Sequence, residues 1–129
     1  MPTRRKYDDC DYDGDRACAV EAFLDALGGR WKGMILFHLL PGTRRFGELR
    51  KTLPGVTQRM LTTQLRELEK DEIVARKVYA EVPPRVEYSL TPLGRKLSPI
   101  LALMAEWGDE YMLRYEEKRK TAKRKQPAA

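Results

Sequence analysis

The sequence predicts a mainly α domain with a small antiparallel β-hairpin wing, the α+β arrangement called a winged helix-turn-helix. Three observations predict it. Between Phe46 and Leu90 the chain reads, in order, as a short helix, a tight turn at Pro54-Gly55, a second amphipathic helix, and two strands joined by a Pro83-Pro84-Arg85 tip. Apolar residues return at helical spacing before this stretch, from Cys18 to Leu40, and again after Thr91. Basic side chains crowd the two helices in the middle, where such a module meets a duplex.

Residues 1–15 carry charges and turn formers with little to bury, and read as a flexible arm. From Cys18 the pattern is helical. Val20, Phe23, Leu24 and Leu27 share a face, Asp15 or Cys18 lies near the start, and Gly28-Gly29 is the stop. A second helix over about Arg30 to Leu40 is apolar nearly all round and is expected to be the hub of the core. Pro41-Gly42 ends it, and Thr43-Arg44-Arg45 adds a short strand to the wing sheet. Phe46 opens the third helix, with Phe46, Leu49 and Leu53 buried and Glu48, Arg50 and Lys51 in water. The fourth starts behind Thr57 as N-cap and runs through Lys70, anchored by Leu61, Leu65 and Leu68 at i, i+4 and i+7. Ile73 to Tyr79 and Arg85 to Leu90 alternate with period two. Val82-Pro83-Pro84 cannot continue a ladder, because proline lacks the donor, and so forms the tip between them.

Thr91-Pro92 is a helix start, with Thr91 as N-cap. A long helix then extends toward Lys118, with a kink or short break expected near Leu97 because Pro99 has no N–H to donate. Ile100, Leu103, Met104, Trp107, Tyr111 and Tyr115 form a stripe longer than a small domain covers by itself, so a partner helix is expected. Residues 16–118 are the expected folded domain, and 119–129 a basic tail that frays.

With 129 residues the chain is most simply one domain, too short to hold a catalytic domain beside a DNA-binding one. Lys and Arg number 25 against 19 Asp and Glu, a net charge of +6, which favours a polyanionic partner. The charged start leaves no room for a signal peptide, and the longest apolar run, Met34 to Leu40, is far too short to cross a bilayer. No membrane association and a cytoplasmic location are therefore expected. There two cysteines are expected as thiols rather than as a structural disulfide. No catalytic residue, metal or cofactor is expected: His38 is the sole histidine and reads as a core residue, there is no glycine-rich phosphate loop, and Cys10, Cys18 and His38 lack zinc spacing.

The chemistry expected is recognition of double-stranded DNA. Side chains in the first turns of the fourth helix reach base edges when it enters the major groove. Gln58 offers a two-pronged pair to adenine and Arg59 to guanine, while Thr62 and Thr63 suit a thymine methyl or a phosphate, with Thr57 and Arg66 completing the face. Arg44, Arg45 and Lys51 are expected on phosphates. The wing contributes Lys77 and Arg85, the latter a guanidinium on a tip stiffened by two prolines and suited to a narrow minor groove, or else paired with Glu81 or Glu87. The competing reading is a winged helix used only for protein interaction or dimerisation, which has no need of this basic, polar face.

Several motifs occur in a fixed order: Cys18-Ala19-Val20-Glu21, Gly28-Gly29-Arg30-Trp31-Lys32, Arg45 to Arg50, Gln58 to Thr62, Gln64 to Glu69 and Pro83 to Thr91. Together, over about Cys18 to Gly108, the chain resembles the HxlR family of bacterial transcription regulators, apart from Ala19 where the family often has proline. The resemblance implies a homodimer on an inverted-repeat operator, joined through the first and last helices, with Val20, Phe23, Leu24, Leu103, Met104, Trp107 and Tyr111 at the interface. It also places Cys18 where several members sense electrophiles or oxidants, so a small reactive effector is a further possible partner. A thiol in a first helical turn, near Arg16, feels the positive end of the helix dipole, although Asp15 and Glu21 oppose it. Cys10 is the candidate resolving partner. On one continuous helix the two cysteines would sit about 12 Å apart along its axis, so pairing needs a flexible arm or a second subunit. The alternative is that Cys18 is an inert, buried apolar residue.

Overall fold

The computed structural model describes residues 16–125. They form two compact units, one ending at Arg95 and one starting at Lys96. The first contains α1 (Ala17–Leu27), α2 (Lys32–Leu39), β1 (Arg44–Arg45), α3 (Phe46–Thr52), α4 (Gln58–Lys70), β2 (Val74–Tyr79), β3 (Arg85–Leu90) and α5 (Pro92–Arg95). The second is α6 (Ser98–Lys125).

Helix α1 ends where Gly28 turns to an extended conformation, a position only glycine fits because a Cβ would lie 2.2 Å from the Leu24 carbonyl oxygen. Gly29 then turns the chain at φ +92°, in the left-handed region that favours glycine. Of the face expected to pack, Leu27 is buried and Phe23 half-buried, but Val20 and Leu24 are both 58% exposed. Helix α2, apolar nearly all round as expected, is likewise buried on one side only. Trp31, Ile35, Leu36 and Leu39 are buried along one flank, Met34 and Phe37 face out, and His38 is half-buried with its ring edge-on to Phe37. A helix of eight residues presents only one flank to a core this small. The unexpected buried member is Lys32, whose Nζ lies 2.6 Å from Glu67 Oε2 on α4.

Helix α3 is held at its start by Glu48, whose carboxylate accepts the Arg45 N–H at 3.0 Å. Leu49 and Leu53 are buried, whereas Phe46, expected in the same stripe, is half-buried. The turn to α4 closes through Val56 N–H to the Leu53 carbonyl at 3.1 Å, with Gly55 at φ +85°. Thr57 Oγ1 then accepts the Met60 N–H at 3.1 Å, so the predicted N-cap is the observed one. Leu61, Leu65 and Leu68 are wholly buried.

The end of α4 is closed by two backbone bonds, Glu72 N–H to the Glu69 carbonyl and Ile73 N–H to the Leu68 carbonyl, each 3.0 Å. That pairing is a Schellman motif, with Glu72 at φ +61° where glycine is commoner and Ile73 buried like Leu68. The chain thereby reverses directly into β2. The sheet is antiparallel in the order β1-β3-β2, with Val74 opposite Leu90, Tyr79 opposite Arg85 and Arg44 opposite Tyr88. Thr91 locks its far end: Oγ1 donates to the carbonyl oxygens of Glu72 (2.6 Å) and Ile73 (3.0 Å) and accepts the Gly94 N–H at 3.0 Å. Gly94 is required there, since a Cβ would meet the Ile73 carbonyl oxygen at 2.2 Å.

The predicted interruption around Pro99 is present, since α5 ends at Arg95 and α6 begins at Ser98. Helix α6 has 28 residues and runs to Lys125, beyond the Lys118 at which the sequence predicts its end, so residues 119–125, expected to fray, are helical. Leu101 is buried, but Leu103, Met104, Trp107, Tyr111 and Tyr115 of the expected stripe are exposed, as are Met112 and Leu113, which the stripe did not include. Trp107 and Tyr111 stack at 5.3 Å between ring centroids.

Candidate nucleic-acid interface

The reading helix is positioned by its own apolar flank. With Leu61, Leu65 and Leu68 turned inward, helical geometry sends the remaining positions outward, and Gln58, Arg59, Thr63 and Arg66 are exposed, with Thr62 half-buried at the margin. Neither Arg59 nor Arg66 makes an ion pair among the described residues. Their guanidinium groups keep all their donors for a partner. Thr57, by contrast, uses its hydroxyl as the cap and so orders the first turn.

Two ion pairs tie this helix to its surroundings. Lys32 holds Glu67 from α2, and Arg76 Nε of β2 lies 3.4 Å from Glu69 Oε1. Both acids of α4 are thus occupied, which leaves its outward face with uncompensated positive charge. Nearby Tyr88 is buried on β3. Burial raises its pKa above the usual 10.0, Glu69 adds to the rise, and Arg76 and Arg66 oppose it, so the phenol is neutral.

At Arg85 the wing takes the second of the two expected arrangements. Instead of standing free at the tip, Arg85 is the first residue of β3 and is folded back on the hairpin, with its guanidinium carbon 3.9 Å from the Tyr79 ring centroid. Its Nη2 lies 3.3 Å from Glu81 Oε1 and its Nε 3.9 Å from Glu87 Oε2. The register causes this, since Tyr79 stands directly opposite Arg85 and Lys77 opposite Glu87. Lys77 covers the same ring at 4.8 Å and is exposed, so it is the wing cation open to a partner. Val82 occupies the tip and is fully exposed. Arg45 and Arg85, with Phe46, Val82 and Pro83, line a cleft of about 390 Å³ between the start of α3 and the hairpin. Arg45 and Lys51 are exposed and Arg44 is half-buried.

Cys18 is half-buried in the first turn of α1, and it is disulfide-bonded rather than a thiol. That corrects the expectation of two free thiols. Cys10 lies outside the described residues. Among the described residues no group of His, Cys, Asp and Glu is arranged to hold a metal, and no helix is long and apolar enough to cross a membrane.

A capped, outward-facing polar helix, a tight turn before it and a three-stranded wing behind it define a winged helix-turn-helix DNA-binding protein. Residues 26–116 match the HxlR-like helix-turn-helix family, and the chain belongs to that family. It is a DNA-binding transcriptional regulator of the HxlR type. The HTH-type transcriptional regulator YdeP of Bacillus subtilis (strain 168) is 52% identical over 109 residues, covering 83% of this chain and 85% of YdeP. The redox regulator HypR in its reduced form is 54% identical, with a TM-score of 0.73 over 77% of this chain and 98% of that one. HypR in its oxidised form gives a TM-score of 0.69 at 57% identity, over 72% of this chain and 96% of that one. The transcriptional regulator YodB from B. subtilis in its reduced form is 40% identical, with a TM-score of 0.64 over 72% of this chain and 92% of that one.

Proposed function

We propose that this regulator acts in the cytoplasm as a homodimer on an inverted-repeat operator, reading bases through Gln58 and Arg59 and gripping phosphates through Arg44, Arg45, Lys51 and Lys77. Thr62, Thr63 and Arg66 extend the reading face. Arg85 serves the same interface by fixing the hairpin through Tyr79, Glu81 and Glu87. The observation that carries this reading is the outward face of α4, where Arg59 and Arg66 stand unpaired beside Gln58. The dimer joins through apolar residues of α1 and α6, the exposed Val20 and Leu24 with the half-buried Phe23 on one and the exposed Leu103, Met104, Trp107 and Tyr111 on the other.

We further propose that Cys18 is the switch, with Cys10 its resolving partner. An oxidant takes two electrons and two protons from the two thiols, leaving the disulfide, and a thiol reductant returns them. The disulfide at Cys18 and the likeness to HypR, solved in both reduced and oxidised forms, support this.

The test is selection of bound sites from random duplexes, followed by titration of the selected operator. Arg59→Ala is expected to cost about 1–3 kcal/mol and to relax one base step, whereas Lys51→Ala weakens all sequences alike. Equal loss on operator and random DNA for Arg59→Ala removes it from the readers. In the same titration, a thiol oxidant is expected to shift the affinity of the reduced wild type and leave Cys18→Ser unmoved. An oxidant response retained by Cys18→Ser rules the switch out.

A further inference from the structure

The distribution of charge along the chain does not follow the reading head. Of the 25 basic residues, six lie in residues 118–125, a stretch without an acid, so the remainder of the chain holds 19 basic and 19 acidic residues. The entire formal excess of +6 therefore belongs to eight residues at the end of α6.

Those residues are helical, and they extend past residue 116, where the match to the family ends. Lys118, Arg119, Lys120, Lys123 and Arg124 are all exposed, and none makes an ion pair among the described residues. Arg119 and Lys123, and Lys120 and Arg124, are like-charged pairs at i,i+4, a spacing that disfavours the helix they sit on. The helix dipole favours cations only in the last turn, which leaves Lys118 to Lys120 without that compensation. An array of this kind gains most from a partner that supplies closely spaced negative charge in a row.

We infer that residues 118–125 form a second DNA-binding surface, a basic helix that holds duplex phosphates without regard to sequence. The inference takes DNA as the partner, in keeping with the function proposed above, and assigns the two kinds of contact to different parts of the chain. The winged helix discriminates, and the end of α6 supplies much of the non-specific hold. Each phosphate neutralised releases counterions, so each contact steepens the fall of log affinity with log salt by about 0.9.

The experiment compares the full chain with K118Q/R119Q/K120Q/K123Q/R124Q, in which glutamine keeps the helix former and removes the charge. Binding to selected operator and to random duplex is measured across a salt series, with the oligomeric state of both proteins checked by sedimentation. The expected result is a salt slope shallower by about three to five on both DNAs, with at least a tenfold loss at low salt and an unchanged ratio of operator to random affinity. An unchanged slope overturns the inference. So does a loss confined to the operator, or one accompanied by dissociation of the protein. Binding of the full chain but not the variant to anionic lipid vesicles, with the DNA slope unmoved, assigns the surface to a membrane instead and also overturns it. Random duplex alone suffices for this arm, so the result stands apart from whether Arg59 reads a base.

Discussion

A lysine nitrogen 2.6 Å from a carboxylate oxygen, with the lysine side chain 10% exposed and the glutamate 50%, is an unequal pair. Lys32 has given up its water and depends on Glu67, while Glu67 still has solvent. Glu67→Gln is therefore expected to destabilise by about 1–2 kcal/mol, less than the roughly 3–5 kcal/mol of a fully buried pair, because solvent screens the glutamate side. Adding Lys32→Met should recover most of that loss, since a buried ammonium no longer has to be satisfied. Urea melts of the two variants and the wild type decide it, and a Glu67→Gln protein as stable as wild type would show that Lys32 needs no counter-charge. Burial of Lys32 was not legible in the sequence, where it reads as one more cation in an apolar run. Arg85 was legible only as a choice. Its residues allowed a free tip or an acid pair, and the pairing of Tyr79 with Arg85 across the strands settles it in favour of the pair.

At the scale of elements, boundaries set by local chemistry are legible in the sequence. Thr57 caps α4, Thr91 caps α5, the Pro54-Gly55 turn separates α3 from α4, and Pro99 is preceded by a break. Each depends on a hydrogen bond or backbone restriction within four residues, which sequence displays directly. Thr57→Ala is expected to cost about 1 kcal/mol by leaving the Met60 N–H without its acceptor. Because Gln58 and Arg59 sit in the turn so loosened, operator affinity should fall more than random-duplex affinity. Thermal melts paired with binding titrations measure both effects, and unaltered melting would show that the cap contributes nothing. The Schellman closure at Glu72 is not legible in the sequence, because a glutamate does not announce a left-handed backbone. There the register demanded by Leu68 and Ile73 overrides residue preference.

At the scale of the whole molecule, α1 and α6 each leave large apolar side chains in water, including Leu24 at 58%, Trp107 at 67% and Leu113 at 67%. Exposure of that extent on each helix supports the dimer proposed above. Leu103→Glu puts a carboxylate into the proposed interface and is expected to shift the protein from dimer toward monomer, with a matching loss of operator affinity. Sedimentation velocity reads the first effect and titration the second. A variant that sediments as the wild type does would move the interface off this part of α6.

The sequence by itself determined the order of elements, the helix starts, the inward leucines of α4 and hence its outward face, and the family, because periodicity, caps and turn residues act over a few positions. Tertiary structure alone decided which lysine is buried, which wing cation stays open, and which expected core residues remain in water. Those outcomes depend on what lies opposite in space, and partners across a sheet or between helices are set by the assembled fold rather than by neighbours in the chain.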